Sequence, residues 1–168
     1  DHTPINQMVA DAFMSANPGV LVIYDSEDLK GWWDALPDAW KVVLSKAAKI
    51  QLKPTKEELA RVTNLDSISI ATNKDIQDIE PLRKLQKLQF VSARNTVLKD
   101  ISPLEEHKEI RMLDISNTQV GDVSILGQFS KLSELRADHT NILDLEALKA
   151  ASGIQRIYAD ETAINNFL

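Results

Sequence analysis

Val91, Leu113, Leu135 and Ile157 stand twenty-two residues apart, and their neighbours keep the same interval. Two residues on come Ala93, Ile115, Ala137 and Ala159. Five on come Thr96, Thr118, Thr140 and Thr162. Seven on come Leu98, Val120, Ile142 and Ile164, and ten on come Ile101, Val123, Leu145 and Phe167. Leu88, Ile110, Leu132 and Ile154 precede each start by three, and Leu104, Leu126 and Leu148 follow the first three starts by thirteen. A unit this short cannot bury an apolar face alone. It does so by stacking on its neighbours, which makes a fixed period of this size the signature of a solenoid.

The spacing resembles the leucine-rich repeat, L-x-x-L-x-L-x-x-N/C-x-L, in its short bacterial internalin-like form. Leu132, Leu135, Ala137, Thr140 and Ile142 make one clear copy, and the resemblance runs over roughly residues 59–168. It implies an α/β fold: a right-handed solenoid with a parallel sheet on the concave face and an N-terminal helical cap. It also implies a non-enzymatic binding module, bacterial and secreted or at the cell surface, for a protein or glycan. The alternative is an intracellular regulatory scaffold binding a protein, like the eukaryotic phosphatase-regulating relatives. One departure stands out. The family usually has Asn where this chain has Thr. The irregular first copy, Ile68, Ile70 and then Asn73, keeps the Asn and carries an extra residue before Ile76.

One repeat can be read in physical terms. Leu113 and Ile115 flank Asp114, the in-out alternation of a short half-buried strand. Ser116, Asn117 and Thr118 form the turn that follows. Its inward backbone needs partners, and a column of threonine hydroxyls could bond the loops above and below as a ladder. The simpler reading is that threonine merely favours strand surroundings. Asp78, Asp100, Asp122 and Asp144, with Asn166 last, form another column. Each precedes a buried position, so they read as turn caps and not as metal ligands. Pro81 and Pro103 then suit the first turn of a short helix.

Residues 1–53 lack the repeat and read as an N-terminal helical cap region. Residues 54–168 read as about five repeats, packed with the cap as one continuous unit. Thr3-Pro4 opens a helix whose stripe is Ile5, Met8, Val9, Ala12 and Phe13. Val20 to Tyr24 suits a strand or an extended segment. Asp25, Ser26 and Asp28 open a second helix, and Asp38 caps a third whose face is Trp40, Val43, Leu44 and Ala47. Trp32, Trp33 and Trp40 suit a core covering the first repeat, because an array needs an end unit that is apolar inside. The competing reading is an aromatic platform for a sugar or partner. Trp32 and Trp33 cannot both point inward on one helix. Thr55 with Glu58 fits a capping box, so a helix leads straight into the first repeat.

Composition removes several functions. The net charge of −6 lacks the basic footprint of a nucleic-acid binder. There is no Cys for disulfides, zinc thiolates or a thiol nucleophile. No apolar run reaches membrane-span length. Five glycines form no phosphate loop, and the carboxylates lack a calcium loop's alternation. No cofactor or metal is expected. His107 shares a column with Leu85 and Phe129 and should pack inside, and His139 lies in the turn before Thr140. The histidines show no triad partner.

The outward strand positions give the candidate binding surface. One column holds Ser69, Ser92, Asp114, Arg136 and Tyr158. The column before holds Ser67, Phe90, Met112, Glu134 and Arg156. The column after holds Arg94, Ser116, Asp138 and Asp160. Phe90 and Met112 have no reason to be apolar if they only face water. Arg136, Arg156 and Tyr158 are types enriched at interface hot spots. Mixed charges in cross-strand pairs such as Glu134 with Arg156 are the plainer reading. The last copy ends near Phe167 with no polar cap in view, so the expectation is either a longer protein or another copy or domain covering that edge, an end-to-end homodimer through the last repeat being the case to test.

Overall fold

The computed structural model describes residues 7–20, 22–23 and 26–165. Thr3-Pro4 and the last column members Asn166 and Phe167 lie outside them. Helices α1 (Gln7–Ala16), α2 (Ser26–Ala35), α3 (Asp38–Ala48) and α4 (Lys56–Thr63) come first. Five short strands follow: β1 (Ser67–Ser69), β2 (Phe90–Ser92), β3 (Met112–Asp114), β4 (Glu134–Arg136) and β5 (Arg156–Tyr158). They form one parallel sheet in sequence order. Val91, Leu113, Leu135 and Ile157 lie side by side in register, so the period of the sequence is the pitch of the solenoid. Ile68 falls opposite Val91, which brings the irregular first copy into line.

Each strand turns into a loop that returns along the convex side through a short 3-10 helix: Glu80–Lys84, Ser102–Leu104, Ser124–Gln128 and Glu146–Ala150. The aspartate column caps these turns. Asp78, Asp100, Asp122 and Asp144 each accept, through Oδ1, the backbone N–H two residues on, at 2.7–3.1 Å. Pro81 and Pro103 sit in the first turn of the first two. Val91, Leu98, Ile101, Leu104 and their equivalents fill the interior as one continuous apolar core.

The threonine column is stacked and buried at Thr96, Thr118 and Thr140, but it is not a ladder between repeats. Each hydroxyl donates within its own repeat: Thr96 to the Ala93 carbonyl at 2.7 Å, Thr118 to Ile115 at 2.6 Å and Thr140 to Ala137 at 2.8 Å. The turn brings the carbonyl three residues back closer than any group of the next repeat. At this turn, backbone makes links between repeats. Thr72, Asn95, Asn117 and His139 donate their N–H to Arg94, Ser116, Asp138 and Asp160 carbonyls at 2.7–2.9 Å. These four, with Glu161, have positive φ. Asn at two of the five positions is the trace this left-handed site leaves in the sequence, since Asn tolerates it better than most residues. Thr118→Val keeps the shape and strands the buried Ile115 carbonyl. It is expected to cost about 1–3 kcal/mol, read as a lower urea midpoint. An unchanged midpoint would remove the hydroxyl from the stability argument.

The cap follows the sequence in part. Trp33, Leu36, Trp40 and Leu44 join the core with Leu59 and Val62 of α4. Trp33 Nε1 donates to the Leu52 carbonyl at 3.3 Å. Trp32 is the half-buried one of the pair, edge-on to Trp33 with ring centroids 6.3 Å apart. Thr55 and Glu58 form the expected capping box. One expectation fails and two readings are narrowed. The N-cap of α3 is Pro37, and Asp38 is already helical. Of the two readings of Val20 to Tyr24, the described residues Val20, Val22 and Ile23 form no strand. The apolar stripe of α1 faces outward: Met8 is 79 % exposed, Val9 and Phe13 are exposed too, and Ala10 is the residue buried. Helical spacing defines a stripe, but the side that meets the core is decided by what packs there. On α1 that side carries Ala10 and Asp11, whose carboxylate lies 3.5 Å from Lys87 Nζ.

Candidate functional site

The concave sheet carries the predicted columns in register. Phe90 lies beside Ser67 and Met112, and Met112 beside Glu134. Ser92, Asp114, Arg136 and Tyr158 form the adjacent column. Five strands at about 4.8 Å make a wall roughly 20 Å across. Phe90 at 41 % and Tyr158 at 43 % exposure are its accessible aromatics. Met112 and Ser92 are half-buried, and Arg94 is exposed beyond the end of β2.

The charged residues are organised by Glu134. Its carboxylate accepts from Arg136 Nε at 2.6 Å, and from Arg156 Nε at 2.8 Å and Nη2 at 2.6 Å. Two guanidinium groups therefore enclose one carboxylate, on a residue that is 8 % exposed. Bonding to Arg156 and then Arg136 holds its pKa below the usual glutamate range. The Arg136 guanidinium also lies over the Tyr158 ring, 5.3 Å from the centroid. The cross-strand pair of Glu134 with Arg156 expected from sequence is present, enlarged by Arg136 and Tyr158. Such a cluster fixes the conformations of long side chains before a partner arrives, which lowers the ordering cost of binding.

Asp114 is a correction. Its strand position points outward, yet it is 5 % exposed. Its carboxylate is drawn onto the following turn, accepting Ser116 N–H at 3.1 Å, and its charge acts on neighbouring Arg136. Asp138 likewise caps backbone, accepting Asp160 N–H at 2.8 Å. With Arg94 and Arg136, these two line a shallow polar hollow of about 220 Å³ at the strand ends. His139 pairs with Glu161, Nε2 to Oε2 at 3.1 Å, a contact with no signal in the period. His107 is buried as expected, and its Nε2 meets the Leu82 carbonyl at 2.9 Å.

Among the described residues no group of three or more His, Asp or Glu side chains is placed to hold a metal ion, and no helix is long and apolar enough to cross a membrane. The stacked units, the five-stranded parallel sheet and the short convex helices define a leucine-rich-repeat solenoid, and the chain is a leucine-rich-repeat protein of internalin-like fold. Internalin C2 from Listeria monocytogenes str. 4b F2365 is similar at 28 % identity and a TM-score of 0.61, over 65 % of this chain and 48 % of that one. The internalin InlF of the same strain matches at 24 % identity and a TM-score of 0.57, over 65 % of this chain and 32 % of that one. A plant peptide hormone receptor, RGFR1 in complex with RGF2, shares the fold at 13 % identity and a TM-score of 0.57, over 66 % of this chain and 19 % of that one. The chain spans less than half the length of each of these structures. No family model and no curated protein sequence matches it.

Proposed function

We propose that this chain is a non-enzymatic binding module that takes a protein partner on its concave sheet. The observation that carries the reading is one wall with exposed Phe90 toward one end, Tyr158 at the other, and the Glu134 clamp between them. Rigid aromatic anchors beside preorganised arginines are the usual source of interface energy. The plant receptor solved in complex with RGF2 supports a proteinaceous ligand over a glycan. Likeness to Listeria internalins supports a secreted or surface-exposed bacterial protein over an intracellular scaffold.

The test is a binding screen of the intact protein against surface proteins and glycans. Its companion is the variant with Phe90→Ser, Met112→Ser and Tyr158→Ser. Loss of these contacts is expected to weaken binding by about a hundredfold or more, at 1 kcal/mol or more per anchor, with the thermal midpoint little changed. Undiminished binding by the triple variant would rule the concave face out.

A further inference from the structure

A second surface has bonding capacity to spare. Strand β1 is the first of the sheet, and among the described residues β2 alone pairs with it. Alternate residues of a parallel strand turn their N–H and C=O to the same side. On β1 the even-numbered residues face β2: the Asp66 carbonyl accepts Phe90 N–H at 3.0 Å, and Ile70 N–H donates to the Ser92 carbonyl at 2.8 Å. The N–H and C=O of Ser67 and Ser69 therefore point away from the sheet, and among the described residues no group bonds them. The edge closes just beyond. Ala71 N–H donates to Ser69 Oγ, and the Ala71 carbonyl accepts from the Thr72 hydroxyl. Four main-chain groups are left in the register of an extended strand.

A groove of about 910 Å³ runs between this edge and α3. Val42, Val43 and Ala47 supply its apolar wall, and Val42 is 56 % exposed. Lys46, Lys74, Asp66 and Asp75 border it. Among the described residues none of these four charges is held in an ion pair. Their sum is zero, so a polyanion or a polycation gains nothing net there. A segment with both acidic and basic side chains around an apolar centre matches all of the charges. An extended peptide of that kind also supplies the donors and acceptors an open sheet edge lacks.

We propose that the outer edge of β1 receives an extended segment of a protein partner as an added strand. Apolar side chains of the segment lie against Val42 and Ala47, its acidic ones meet Lys46 and Lys74, and its basic ones meet Asp66 and Asp75. This surface lies beside the concave wall, and either can fail without the other. The test selects a displayed library of random short peptides on the intact wild-type protein and maps each binder by amide hydrogen exchange. Binders are expected to slow exchange at Ser67 and Ser69. Ser69→Pro removes an outward N–H where an edge tolerates proline and is expected to weaken them about tenfold. Val42→Asp changes an exposed wall residue and is expected to weaken them comparably, so the test stands even if Ser69→Pro misfolds. An empty selection, binders that protect only the concave sheet, or full affinity for both variants overturns the proposal.

Discussion

Leu113→Ala is expected to cost about 2–5 kcal/mol of folding stability. Leu113 is fully buried in the central strand, with Val91 on one side and Leu135 on the other. In a stacked array stability is the sum of each unit and its two neighbour interfaces. A hole at this position loosens both interfaces at once and finds no flexible end to relax into. The loss is a large share of the roughly 5–15 kcal/mol a domain has in total. Urea unfolding monitored by the tryptophans in the cap and by far-ultraviolet dichroism would measure it. The next residue supplies the contrast. Asp114 looks dispensable in sequence, but its buried carboxylate holds Ser116 N–H, and Asp114→Ala should cost about 1 kcal/mol. Equal losses in the two variants would mean that the assignment of inner and outer faces is wrong.

The second large effect depends on pH and comes from His107. Its ring is buried, and among the described residues its Nδ1 has no hydrogen-bond partner. Nε2–H donates to the Leu82 carbonyl in the preceding repeat. Burial lowers the His107 pKa, opposed by its backbone hydrogen bonds, and nearby Arg83 lowers it further. The folded state therefore holds the neutral ring, while the unfolded chain takes up a proton near pH 6.5. Below that pH the unfolded state binds more protons than the folded one, so stability falls as pH falls. The slope approaches 1.4 kcal/mol per pH unit and flattens once the lowered folded pKa is passed. Above about pH 6.5 the contribution is complete and constant. His107→Leu matches the type of Leu85 in the same column. It is expected to stay folded at pH 7, and the Leu82 carbonyl keeps its bond from Leu85 N–H. Comparing the two proteins between about pH 5 and 6.5 isolates the term from the carboxylates, which titrate lower. Parallel stability curves for wild type and variant would exclude it.

Much of the architecture could be read before any coordinates. Val91, Leu113, Leu135 and Ile157 are adjacent in space because each repeat places the same position in the same surroundings. Equal spacing along the chain thereby becomes equal position across it. The aspartate caps were legible for a similar reason. A side chain that bonds the N–H two residues on needs only its own loop, and the loop recurs. Capping at Thr55 with Glu58 is equally local.

The candidate site was legible only as positions. Phe90, Met112, Glu134, Arg136, Arg156 and Tyr158 share the concave face because a strand alternates. That one carboxylate would be enclosed by two arginines depends on side-chain reach between strands. The period does not encode that reach, and Arg136 and Arg156 sit in different columns. The open edge of β1 was missed altogether, because an unpaired strand edge is a property of which neighbours a strand lacks.

The sequence by itself determined the pitch, the inward residues and the order of the strands, since these follow from local geometry repeated at constant interval. Only the tertiary structure decided where polar side chains spend their bonds. Thr118 turns to its own repeat, Asp114 folds under the turn, and the stripe of α1 faces outward. A hydrogen bond or an apolar contact is made with whatever lies within a few ångströms, and those distances exist only once the coils are stacked.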